Sequence, residues 1–89
     1  MKSITGVWDF GLAEPQESEM KHVEGKFCDL INTIYEAKIA GVMHVRPPGS
    51  GTHLLQVSLE VKDDDVNRDL VAKKLGEYRW NRGFRVTFD

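Results

Sequence analysis

Apolar and polar residues alternate with a period of two along residues 3–12: Ile4, Trp8, Phe10 and Leu12 share one parity, with Gly6 between them, and Thr5, Val7 and Asp9 take the other. That alternation predicts a strand with one face buried. The period then changes. Met20, Val23, Phe27, Leu30, Ile31 and Ile34 fall within an arc of about 100° at helical spacing, which predicts an amphipathic helix. Pro15 suits its first position, where a missing N–H costs nothing. Glu14, Glu17 and Glu19 sit near its positive pole. Gly25 falls on the polar side, and Gly41 is the expected C-terminal stop.

Residues 42–46 read as a short strand, residues 47–51 (Pro-Pro-Gly-Ser-Gly) as a turn-rich tip, and residues 52–62 as a longer strand. In that longer strand Leu55, Val57, Leu59 and Val61 alternate with Gln56, Ser58, Glu60 and Lys62, so the two strands form a hairpin. Asp63, Asp64 and Asp65 supply N-cap candidates for a second helix striped by Leu70, Val71, Leu75 and Tyr78, with Val66 at the margin. Two ends are open for this helix. It runs to about Asn81 and stops at Gly83, or it ends at Gly76 and residues 78–80 pair with 84–88 across an Asn81-Arg82-Gly83 turn. Phe84, Val86 and Phe88 alternate with Arg85 and Thr87 as the last strand.

The order strand, helix, strand, strand, helix, strand is an α+β pattern. Right-handed crossovers put both helices on one face of a four-stranded antiparallel sheet, which is the ferredoxin-like βαββαβ arrangement with spatial order 4-1-3-2. The other face then carries Thr5, Val7, Asp9, Gln56, Ser58, Glu60, Arg85 and Thr87, open to solvent or to a partner. The length of 89 residues fits a single domain spanning 1–89.

Composition narrows the function more than it names one. Twelve Lys and Arg against fourteen Asp and Glu leave a formal charge of −2, without the clustered basic excess expected of a nucleic-acid binder. A lone Cys28 cannot close an internal disulfide, and no apolar run approaches the ~18 residues of a spanning helix. Asp9 interrupts what a signal peptide would need as a continuous apolar stretch, so the expectation is a cytoplasmic protein without a membrane role.

The fold itself decides no function. Metal-carrying domains of this arrangement use a Cys-x-x-Cys loop, which one cysteine cannot supply. RNA-recognition domains stack bases on exposed aromatics of their central strands, whereas Trp8 and Phe10 share the core parity. Acylphosphatases of similar length place a Gly-rich loop and an Arg after the first strand, and Gly11-Leu12-Ala13-Glu14-Pro15 does not resemble it. His44 and His53 flank the hairpin tip and can approach one another, but a zinc site needs three or four ligands and His22 lies elsewhere. No cofactor and no metal is expected. The tip from Arg46 to Thr52 lacks the Gly-Lys-Ser/Thr ending of a phosphate loop and lies between two strands, leaving a hairpin loop or a binding finger. Cys28 has no base to activate it, and no carboxylate pair or Ser-His-Asp set emerges, so catalysis is not expected.

The remaining feature is the basic stretch Lys73, Lys74, Arg79, Arg82 and Arg85, interleaved with Tyr78 and Trp80. It reads either as a solvated helix face or as a contact for an acidic partner. On a continued helix Trp80 lies about 200° from Tyr78, off the apolar stripe, and an uncovered Trp between arginines has the makings of an interface anchor. The candidate partner-binding residues are therefore Trp80, Arg79, Arg82, Arg85, Lys74, Arg46 and His44. The expected function is a non-catalytic protein-binding module, an inhibitor or regulator of a larger protein or complex; phage-encoded inhibitors such as anti-CRISPR proteins include small domains of this description. A homodimer through an unpaired sheet edge, the fourth strand above all, is a further expectation. The alternative is a nucleic-acid or nucleotide-binding domain using residues 73–85.

Overall fold

The strand predicted from residues 3–12 forms as β1 (Lys2–Gly11), and Ile4, Gly6, Trp8 and Phe10 are buried on its one face. The computed structural model describes residues 2–80 and 83–88. After β1 come α1 (Glu17–Asn32), β2 (Ala37–Val45), β3 (His53–Val61), α2 (Arg68–Gly76) and β4 (Gly83–Phe88). The four strands make one antiparallel sheet in the order β2-β3-β1-β4, the expected order counted from the opposite edge. The fold is α+β with ferredoxin-like topology.

The core lies between one sheet face and both helices. Ile4, Trp8 and Phe10 of β1 and Leu55, Val57, Leu59 and Val61 of β3 meet Val23, Phe27 and Ile31 of α1 and Val71 and Leu75 of α2. Its centre is aromatic: Trp8 meets Phe27 edge-on at 5.0 Å between ring centroids and stacks on Phe84 at 4.9 Å. The indole Nε1 of Trp8 is buried with no hydrogen-bond partner among the described residues. An orphaned donor of this kind costs about 1–3 kcal/mol, so the ring is held there by packing.

Several boundaries differ from the sequence reading. Leu12 does not continue the β1 core set: Gly11 adopts a positive φ of 74°, the parity breaks, and Leu12 is 77% exposed. Helix α1 starts after Gln16, so Pro15 lies before it rather than in its first position. It stops at Asn32, well short of Gly41, because the Asn32 side chain donates to the Cys28 carbonyl (2.9 Å) and accepts from the Ala37 N–H (3.1 Å), folding the chain out of the helix. Residues from Ala37 onward are therefore free to pair with β3, and β2 is nine residues long instead of a stub starting at Val42.

Helix α2 is capped by Asn67, whose side chain accepts from Leu70 N–H at 3.1 Å, and not by the preceding aspartates. It ends at Gly76, and residues 78–80 form no strand; β4 pairs with β1, from Ile4–Phe88 to Asp9–Gly83. The turn expected at Asn81-Arg82 lies outside the described residues. No described helix is long and apolar enough to cross a membrane.

Candidate interaction edge and open sheet face

Strand β2 closes one side of the sheet and pairs only with β3 among the described residues. Ile39 faces Leu59, Val42 faces Val57 and His44 faces Leu55, which puts all three on the helix side of the sheet. The helices do not reach that far. Ile34, Tyr35 and Ala37 pack on the core at the start of the strand, but beyond them Ile39 is 40% exposed, Val42 45% and, on the opposite face, Met43 57%. Ala40 is an extra residue in the ladder, between the Ile39–Leu59 and Gly41–Ser58 pairs, and bends the strand. Lys38 is the one fixed charge in β2, and its sheet partner Glu60 offsets it. A long edge with apolar side chains and so little charge is what soluble proteins ordinarily avoid.

The sheet face away from the helices carries the residues expected there. Thr5, Val7, Gln56, Ser58 and Glu60 are half-buried and Asp9, Arg85 and Thr87 exposed, with Thr5 and Ser58 joined hydroxyl to hydroxyl at 3.2 Å. At one end the hairpin tip borders this face, and Pro47, Ser50 and Thr52 with Val7, Asp9, Leu54 and Arg85 line an open groove of about 390 Å³. The Asp9 carboxylate accepts from the Gly11 N–H at 2.8 Å.

His44 and His53 do meet: Nε2 of His44 lies 2.9 Å from Nδ1 of His53, one ring donating and the other accepting. His53 is buried and His44 exposed, so the bond ties the β2 edge to the interior. His22 instead lies 3.2 Å from the Tyr78 hydroxyl. Among the described residues no group of three or more His, Cys, Asp or Glu is placed to hold a metal ion. Burial, then the neighbouring Asp29 charge, pushes the Cys28 thiol up from its ordinary pKa, although Asn32 Nδ2 donates to its sulfur at 3.3 Å. That is the opposite of activation for nucleophilic attack.

The other candidate residues do not gather into one surface. Trp80 is the clearest correction, for its ring is packed on the core and does not project as a free anchor. It lies 5.3 Å from Trp8, 5.2 Å from Phe84 and 4.6 Å from Tyr78, and its Nε1 donates to the Leu75 carbonyl at 3.1 Å. The chain leaves α2 at Gly76, so the helical projection that put Trp80 off the stripe does not apply. Lys74 is half-buried and pairs with Glu77 at 3.2 Å on the helix side, whereas Arg85 stands on the open face beside Val7. The 73–85 stretch is thus divided between two faces. Arg79 and Arg46 are exposed in loops, and Arg82 lies outside the described residues.

Of the candidates, His44 alone sits on the β2 edge. Of its neighbours there, Val42 and Met43 fall in the strand expected from the sequence, whereas Ile39 was hidden by the overlong first helix. Asn32 followed by the β-branched pair Thr33-Ile34 was the available signal for an earlier stop. No protein-family model matches this chain, and no curated protein sequence matches it either.

Proposed function

We propose that this chain is a non-catalytic protein-binding module, an inhibitor or regulator of a larger protein, and that it engages its partner by accepting a strand along β2. The observation that carries the reading is the outer edge of β2, with Ile39, Val42 and Met43 exposed and a single, locally offset lysine. In strand addition the main-chain ladder supplies affinity and alternate side chains supply selectivity. The incoming strand would set one row of side chains against Ile39, Val42 and His44 and the other against Met43. The raised Cys28 thiol and the division of the basic residues between two faces support this reading over a nucleophilic enzyme and over a phosphate-binding surface.

The test is affinity capture from the native host with three baits: wild type, Val42→Lys with Met43→Lys, and Lys73→Glu on α2 as a surface control. The proposal expects a protein held by the wild type and the control and lost from the β2 variant, with unchanged circular dichroism. Equal capture by all three, or capture by none, would refute it.

A further inference from the structure

We infer that the opposite edge, β4, pairs with β4 of a second copy of this chain about a two-fold axis through Val86. This is independent of the β2 reading, since it uses the other side of the sheet. β4 pairs without a register break against β1, so its outer edge is straight, and its six residues alternate Phe84, Val86 and Phe88 toward the helices with Gly83, Arg85 and Thr87 on the open face. The three apolar side chains are only half-buried within one copy.

Antiparallel pairing about a two-fold axis requires residues i and j with a constant sum, and side chains opposite each other share a face. An axis through Val86 sets Val86 against Val86, Phe84 against Phe88 and Arg85 against Thr87 of the second copy. Every apolar residue of the strand then meets an apolar one, the aromatic and β-branched cross-strand pairs that favour sheets, and no charge meets its like. Moving the axis to Arg85 opposes two guanidinium groups.

β2 repeats this self-pairing less well. The extra Ala40 switches the parity between Ile39 and Val42, so the two-fold register that matches faces across the bulge, Ile39 against Val42 and Lys38 against Met43, has its axis at the bulge itself, where the ladder is irregular. The edge that is self-complementary without a bulge at its axis is β4, and the result is an eight-stranded sheet with all four helices on one side and a β2 edge at each end.

The charges make the register testable at an exposed position. Sedimentation velocity over a concentration series should show wild type passing from 10.1 kDa to twice that mass. Thr87→Arg puts a second cation opposite Arg85 in both symmetric pairs and should weaken the dimer roughly three- to tenfold. Thr87→Glu should tighten it by a similar factor, and Arg85→Glu combined with Thr87→Arg should restore it. In a Cys28→Ser background, Val86→Cys should cross-link to its copy under a mild thiol oxidant, whereas Met43→Cys on β2 should not. A monomer at every concentration, a dimer indifferent to charge at residue 87, or cross-linking at 43 and not at 86 would each overturn the inference. Loss of β2-dependent capture would leave it standing, so the two readings fail separately.

Discussion

The Cβ that Gly6 lacks would lie 2.5 Å from Cη2 of Trp8, 2.8 Å from Cζ3 of the same ring and 3.1 Å from Phe27 Cζ. β1 therefore needs a glycine where the alternation calls for an inward side chain, because the indole two residues on lies across that place. Gly6→Ala should lower stability by about 1–3 kcal/mol through overpacking, read as a lower denaturant midpoint at constant m-value. An unchanged midpoint would mean that the Trp8 ring has another resting place.

Trp80→Ala should be costly too, by about 2–4 kcal/mol for a large, partly buried aromatic. It removes ring contacts to Trp8, Phe84 and Tyr78 and the bond to the Leu75 carbonyl. Thermal unfolding checks this, and near-ultraviolet circular dichroism should lose intensity as the aromatic cluster loosens. A surface anchor, the role its sequence position suggested, would leave both unchanged.

How far the sequence was legible follows from which residues obey a single period. β1, β3 and β4 keep a strict alternation, so their inward sets and the open face were readable, as was the helical spacing of Val23, Phe27 and Ile31. The failures lie where a side-chain bond or a glycine overrides periodicity. Asn32 ends α1 although Ile34 still fits its stripe; Gly11 turns Leu12 outward; Asn67 caps α2 in place of three aspartates. The candidate site suffered most. Its exposed edge begins in residues assigned to a helix, and Trp80 is placed by tertiary contacts with Trp8 and Phe84 that no local pattern announces.

His44→Ala should destabilise the hairpin by about 1–2 kcal/mol, because it leaves a ring nitrogen of the buried His53 without its 2.9 Å partner. Thermal unfolding at neutral pH measures the loss, and exchange of the amides flanking residues 46–52 should quicken. Unchanged stability would show that water satisfies His53 as well as His44 does.

Cys28 should react slowly with iodoacetamide near pH 8, more slowly than a free thiol, because burial and then Asp29 keep it protonated. The linked stability effect has a definite sign. Since the folded-state pKa is above the unfolded one, the contribution is complete below the ordinary thiol range of about 8.5 and declines as pH rises through and beyond it. Comparing wild type with Cys28→Ser across alkaline pH isolates that decline, and parallel pH profiles would contradict it.

The claim on which the functional account turns is that a partner's strand joins β2, and amide hydrogen exchange of the bound and free protein measures it residue by residue. With the captured partner added, the amides of residues 41–45 that point away from β3 should become strongly protected, while those of α2 and the open sheet face keep their free-state rates. Protection confined to α2, to the hairpin groove or to the open face, with β2 exchanging as before, would contradict the account.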